Sequence, residues 1–239
     1  MSKRQRRRVR RKLFCINSMP RCGTHLLKTA LEQHPAICCY SEIFNYFDPA
    51  AMQFAECTIS ETLIQLASQS AKRVGFCVHR NHETSRVESL KHKMASIRIP
   101  YNIPTIVLYR ENMLEQYISI CRAKAVEQWQ VYNGEPVPTY PPLQLEFAAV
   151  KKFFNKNQKL RFPARVHWKT CMVLSYEQLT KQTPVAIRHI LAFLKLPQMA
   201  LTPRTVKTGI APREAVINYD DLQEQFAKTS WAHFFRDHK

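Results

Sequence analysis

Two hydrophobic repeats alternate along the 239-residue chain. Short apolar runs bounded by polar or turn residues predict strands over residues 13–17, 37–40, 73–79, 104–110 and 170–175. Between them, apolar residues three and four apart predict helices. Leu26, Leu27, Ala30 and Leu31 repeat at helical spacing until His34-Pro35. Residues 49–70 read as mainly helical, with Leu63, Ile64, Leu66 and Ala67 inward, and residues 84–94 read as a further helix. A long helix after the fourth strand presents Leu114, Tyr117, Ile118, Cys121, Ala125 and Trp129 on one face. Residues 132–142 hold four prolines and a glycine and predict a loop. Helices are expected over 143–156, 176–194 and 213–228, with an irregular basic loop over 196–212. Strands alternating with helices imply an α/β fold: a central, mostly parallel sheet with helices on both faces, in three α/β/α layers. In such sheets ligands sit beyond the carboxyl ends of the strands.

Charge changes this picture. Lys plus Arg number 36 against 18 acids, a net charge of +18. Eight of these basic residues lie within residues 1–12 (Lys3, Arg4, Arg6, Arg7, Arg8, Arg10, Arg11 and Lys12), with no acid among them, so ten net positive charges remain for the rest of the chain. The expected organisation is a disordered basic tail over 1–12 and one domain over 13–239. The tail is a candidate for contact with an anionic membrane surface or nucleic acid. The domain's own excess favours an anionic ligand, and nucleic acid is not expected as its partner. Residues 13–16 are too short an apolar run for a secretory signal, and no run approaches the roughly 20 residues of a membrane helix. The eight cysteines include no C-x-x-C pair, so they read as reduced thiols in a cytoplasmic protein, peripheral to a membrane if the tail docks there. The stretch Cys77-Val-His79-Arg-Asn-His82 lacks a second paired half, and no metal is expected.

The chemistry concentrates in Ser18-Met-Pro-Arg-Cys-Gly-Thr24, where a strand enters a tight loop and a helix starts. N–H groups without helical partners, the helix dipole, the Arg21 guanidinium and the Thr24 hydroxyl form an anion site. A kinase-type loop needs G-x-x-x-x-G-K-[ST], and this loop has one glycine and no Lys before Thr24. Cys15 and Arg21 have the C-x5-R spacing of a thiol phosphatase, but Cys15 lies inside the strand. A nucleotide kinase of related topology and a basic nucleic-acid-binding protein are the alternatives left beside the third reading, a sulfuryl-transfer loop.

That reading comes from a resemblance. Arg21-Cys-Gly-Thr-His-Leu-Leu, His34-Pro, Ser41-Glu-Ile-Phe-Asn45, Val107-Leu-Tyr-Arg-Glu-Asn112, Gln116-Tyr-Ile-Ser119, Leu174-Ser-Tyr-Glu-Gln-Leu179, Phe193-Leu-Lys-Leu-Pro197 and Ile217-Asn-Tyr-Asp-Asp-Leu222 occur in order. Together they resemble sulfotransferases that use 3′-phosphoadenosine-5′-phosphosulfate (PAPS), in particular the bacterial carbohydrate branch of the trehalose and nodulation-factor enzymes. The resemblance implies a P-loop-like fold and transfer of a sulfuryl group from PAPS to a hydroxyl. The acceptor would be a carbohydrate or glycolipid, the product 3′-phosphoadenosine 5′-phosphate (PAP), and no metal is used. A homodimer is compatible with it. It implies a 5′-phosphosulfate cradle of Arg21, Cys22, Gly23, Thr24 and His25, and a 3′-phosphate pair of Arg110 and Ser119. Tyr176 resembles an adenine contact, and Lys207, Thr208 and Arg213 the segment closing over the cofactor. Glu42 resembles the general base, and His79 is its rival. Cys77 stands where relatives have Lys, which leaves the departing oxygen to Arg21, the loop N–H groups and His25. Acceptor pockets are expected over 43–54, 84–101 and 132–142.

Overall fold

The computed structural model describes residues 1–43, 54, 57–79, 102–160 and 170–236. Its first element corrects the expectation of a disordered tail. Residues Lys3–Lys12 form helix α1, closed by a capping box between Ser2 and Gln5. Its mutual charge repulsion is outweighed locally. Val9 is buried in the core, Arg8 Nε donates to Ala67 O at 3.0 Å, and Lys12 Nζ donates to Gln69 O.

Strand β1 (Leu13–Ser18) follows without a break, then α2 (Thr24–Leu31), β2 (Ile37–Tyr40), α3 (Ile59–Ser68), β3 (Arg73–His79), β4 (Thr105–Tyr109), α4 (Met113–Ala125), α5 (Phe147–Leu160) and β5 (Cys171–Ser175). The chain ends in α6 (Tyr176–Lys181), α7 (Thr183–Phe193), α8 (Pro212–Ala215), α9 (Tyr219–Phe226) and a 3-10 turn (Ala232–Phe235). Among the described residues the sheet has five strands, ordered β2-β3-β1-β4-β5, and each neighbouring pair is parallel. This is a P-loop-like α/β/α architecture. All six residues of β1 are buried, as a central parallel strand requires. The chain runs outward from β1 to β2, returns to β3, then crosses β1 to reach β4. The order therefore reverses beside β1, where a crevice opens at the carboxyl ends.

Two apolar clusters cover the sheet faces. One gathers Phe14, Ile16, Leu27, Leu31 and Ile106 with α7; the other gathers Leu13, Cys15, Val74 and Phe76 with α3 and Val9. A third cluster joins α4, α5 and α9 through Phe154 and Phe226. Gly75 is required by packing: a Cβ there would lie 2.3 Å from Phe14 Cζ and 2.8 Å from Cys39 Sγ.

Several element bounds differ from expectation. The helix after β4 ends at Ala125, short of Trp129. The helix expected over 143–156 starts at Phe147, because Leu143 pairs instead with Val216. The helix expected over 176–194 is two, because Pro184 has no N–H and its ring excludes the continuing turn. That expected over 213–228 is also two, α8 and α9. The helical stretch expected over 49–70 is observed over Ile59–Ser68. The helix expected over 84–94, and most of the acceptor segments 43–54 and 84–101, lie outside the described residues. Among the described residues, no helix is long and apolar enough to cross a membrane.

Candidate active site

The site begins where β1 stops. The backbone turns through left-handed conformations at Arg21 (φ 64°) and Gly23 (φ 87°) before α2 starts at Thr24. Gly23 suits its position twice over: glycine adopts that φ freely, and a Cβ would lie 2.9 Å from Tyr176 Cδ2. Arg21 has no such freedom, and a non-glycine residue there is strained. The turn aims the first N–H groups of α2 at the crevice, where the helix dipole adds positive potential. The loop is braced from α4, where Gln116 Nε2 donates to Pro20 O at 2.7 Å and lies 3.3 Å from Cys22 Sγ. Ser18 Oγ and Thr24 Oγ1 share a hydrogen bond of 2.7 Å beneath it.

Arg21 crosses from the loop to α4. Its Nε donates to Ser119 Oγ at 2.9 Å, and its Nη1 donates to Trp129 O. Burial, and then the nearby Arg110 charge, lower the Arg21 pKa. The cation is thus held where its charge is poorly solvated and another cation stands close.

Arg110 follows β4 and is buried, its guanidinium 4.5 Å from the Tyr176 ring centre. Its Nη2 donates to Glu115 Oε2 at 2.6 Å, and its Nε stands 3.9 Å from Glu177 Oε1. That Nε and that Oε1 are both buried without a hydrogen-bond partner. Burial pushes the Tyr176 hydroxyl pKa up, and the Arg110 and Arg21 cations oppose the shift. Arg21, Arg110, Ser119 and Tyr176 thus line one wall beside the loop, with Glu115 and Glu177 engaged with Arg110. The strained loop and the poorly solvated Arg21 fit an anionic ligand; Arg110, held by Glu115 and beside Glu177, offers a second cation to it only by exchanging a carboxylate.

On the β3 side, Glu42 and His79 come together. The β2–β3 pairing continues past Tyr40, since Cys77 N donates to Ser41 O at 3.0 Å, and this sets Glu42 beside the last residue of β3. His79 Nδ1 lies 3.2 Å from Glu42 Oε1, with side chains 9% and 13% exposed, and His79 Nε2 lies 3.4 Å from Thr24 Oγ1. The two candidate bases are therefore one hydrogen-bonded pair, tied through Thr24 to the loop.

The remaining candidates divide. Cys22 is buried within the loop, and His25 is the second residue of α2. Lys207 and Thr208 belong to a segment laced to the chain just past Trp129: Asn133 N donates to Arg204 O and Val206 N to Val131 O. Arg122, stacked 3.9 Å from the Tyr140 ring centre, donates to Thr208 O at 3.1 Å. Arg213 is engaged elsewhere, with Asp220, Gln223 and the Tyr219 ring. Cys15 lies inside β1, aligned with Phe76 and Thr105 of the flanking strands, so it is not at the base of the loop. Among the described residues, no group of three or more His, Cys, Asp or Glu side chains is placed to hold a metal ion. Spacing along the chain gave no sign of Glu115, Glu177 or Gln116 as partners of the cradle.

Fold and site define the class: a P-loop-like α/β/α protein whose first strand runs through a left-handed turn into a helix, with Arg21 in the turn and Arg110 close by. No protein-family model matches the chain. The chain is 25% identical over 235 residues to nodulation protein H of Rhizobium meliloti strain 1021, covering 93% of this chain and 94% of that protein. It is 23% identical over 250 residues to nodulation protein H of Rhizobium tropici, covering 93% and 92%. Similar solved structures include a sulfotransferase from Alicyclobacillus acidocaldarius (TM-score 0.48, 15% identity, 91% of this chain and 92% of that one). Another is a mouse sulfotransferase complexed with PAP (TM-score 0.46, 15% identity, 96% and 90%). The resemblance to the sulfotransferases read from the ordered motifs is thus borne out by relatives that run nearly the whole length of the chain.

Proposed function

We propose that the protein is a PAPS-dependent sulfotransferase acting on a hydroxyl acceptor of carbohydrate type, free or as a glycolipid, in a reducing cytoplasmic compartment. The observation that carries the reading is the pairing of Arg21, held in the left-handed turn, with Arg110 close by, where burial and the Arg110 charge lower the Arg21 pKa. PAPS supplies an activated sulfuryl group: the acceptor oxygen bonds to sulfur, the bond from sulfur to the 5′-phosphate oxygen breaks, and PAP leaves.

The chain's own residues have three tasks. Gly23, Thr24, His25 and the start of α2 hold the phosphosulfate end, where Arg21 offsets charge on the departing oxygen. Arg110 and Ser119 hold the 3′-phosphate, with Tyr176 packed against the loop beside them. Glu42 takes the acceptor proton on a carboxylate oxygen. His79 is a positioning residue: with its proton on Nδ1 it donates to Glu42, and its Nε2 accepts from the Thr24 hydroxyl. That arrangement links the base to the loop that holds the donor. Lys207 and Thr208 close the cofactor side, and residues 132–142 line the acceptor side.

Titration calorimetry with PAP and AMP tests the reading. PAP should bind at least tenfold more tightly, since Arg110 and Ser119 address the phosphate that AMP lacks. Equal affinities overturn the cofactor assignment. Labelled PAPS with a panel of sugars and glycolipids then identifies the acceptor.

A further inference from the structure

We propose that α1 is an electrostatic docking surface for an anionic lipid bilayer. The helix carries eight basic residues and no acid. Two of them have structural work, since Arg8 and Lys12 donate to the carbonyls of Ala67 and Gln69 at the end of α3. Arg73 Nη1 donates to Arg11 O from the start of β3, which anchors the carboxyl end of α1 to the sheet. Val9 is 1% exposed, and Met1 packs against the same cluster. The helix is therefore fixed by one side.

The other six cations, Lys3, Arg4, Arg6, Arg7, Arg10 and Arg11, are exposed. At 3.6 residues per turn they fall within an arc of about 160° on the side away from Val9. Among the described residues none of the six has an acidic partner. Lys3 and Arg7, Arg6 and Arg10, and Arg7 and Arg11 are like-charge neighbours one turn apart, which opposes the helix. Lys3 and Arg4 also oppose the dipole at its amino end. An anionic plane relieves both.

These charges do not serve the candidate active site, which lies at the other end of β1. The strand begins at Leu13, and its six residues separate the carboxyl end of α1 from the loop by about 20 Å. The chemistry favours lipid over nucleic acid. The six cations share one exposed helix face with no aromatic side chain among them to stack an unpaired base, and such a face meets a plane of charge. Arginine also contacts duplex phosphate and guanine, which the DNA competition tests. The helix's apolar residues face the protein, so adsorption is by charge alone, without insertion.

The experiment is flotation of the full chain with phosphatidylcholine vesicles and with vesicles containing phosphatidylglycerol. Binding is expected only to the latter and should be lost at high salt. Replacing Arg6, Arg7 and Arg10 by Gln should lower the partition coefficient by ~10²-fold, at about fivefold per residue. All three side chains are exposed, and circular dichroism checks that the variant is folded. Equal binding to neutral vesicles, or undiminished binding by the triple variant, overturns the proposal. So does a random DNA duplex that displaces the protein from vesicles at equal phosphate concentration, which assigns the surface to nucleic acid. The inference does not rest on the sulfotransferase reading. Vesicle binding with no PAP binding would strike only the latter, and PAP binding with no vesicle binding only the former.

Discussion

Replacing Glu42 by Gln and His79 by Asn, singly and together, separates two chemistries that the structure has joined. The pair is nearly buried, with Nδ1 of His79 3.2 Å from Oε1 of Glu42. Gln at 42 keeps the side-chain size and a hydrogen-bond acceptor for His79, and removes only the basicity. General base catalysis contributes ~10²–10⁴-fold, so turnover should fall by that much with PAP affinity unchanged. Asn at 79 removes the imidazole that holds the carboxylate. A hydrogen bond to a charged group is worth about 1.5–3 kcal/mol, so the loss should be roughly 10- to 150-fold. Thr24 then also loses its contact with Nε2, so the loop that holds the donor loosens slightly. The double variant should be no slower than Glu42→Gln alone, because an orienting residue has nothing left to orient. The assay is single-turnover sulfation of the identified acceptor at saturating PAPS, with PAP affinity measured by calorimetry on each variant. A nearly inactive His79→Asn beside a Glu42→Gln that keeps most of its turnover would refute the argument and make His79 the base.

Arg110→Ala should weaken PAP binding by roughly 10- to 150-fold, the value of one charged hydrogen bond, while AMP binding changes little; calorimetry with both nucleotides checks this. The same variant leaves Glu115 and Glu177 facing the site, so adding Glu115→Gln should recover part of the PAP affinity. Cys15→Ala should leave sulfuryl transfer nearly intact, because Cys15 packs inside β1, away from the loop; loss of activity in a stably folded variant would reopen the thiol-phosphatase reading.

The parts of the molecule legible in the sequence are those fixed by local chemistry. The run Leu13-Phe-Cys-Ile and the glycine and proline after it mark a buried strand entering a turn, and both lie where expected. The break at Pro184 was passed over, because the apolar spacing of residues 176–194 runs on through it and suggests one helix. Residues 1–12 were misread because charge density argues for disorder, whereas carbonyls at the end of α3 and a pocket for Val9 exist only in the folded protein. The Glu42–His79 contact was hidden for a related reason. His79 ends β3 and Glu42 lies two residues past the end of β2, but nothing in a sequence says that β2 neighbours β3 rather than β1. Glu115 and Glu177 reach Arg110 from the beginnings of two different helices, so their spacing from it along the chain carries no message.

The costs at Arg21 supply a last prediction. Its left-handed backbone costs about 1–2 kcal/mol relative to glycine, and burial beside Arg110 makes its charge less stable than in water. Its hydrogen bonds to Ser119 and the Trp129 carbonyl offset part of this. Without a ligand these contributions oppose one another, and the stabilising return is expected when an anion arrives. Arg21→Gly removes the strain and the desolvated cation together with those two hydrogen bonds. The unliganded melting temperature should therefore move by no more than a few degrees, at about 2–4 °C per kcal/mol for a chain of this size. PAP at a hundred times its Kd should stabilise the unaltered protein by ~2.7 kcal/mol, or roughly 5–10 °C. At the same PAP concentration the variant, having lost about 1.5–3 kcal/mol of binding, should retain only ~0.3–1.3 kcal/mol of that stabilisation. Differential scanning calorimetry with and without PAP measures both quantities. A variant that keeps the full ligand-induced shift would show that Arg21 is strained for the sake of packing against α4 rather than for the anion.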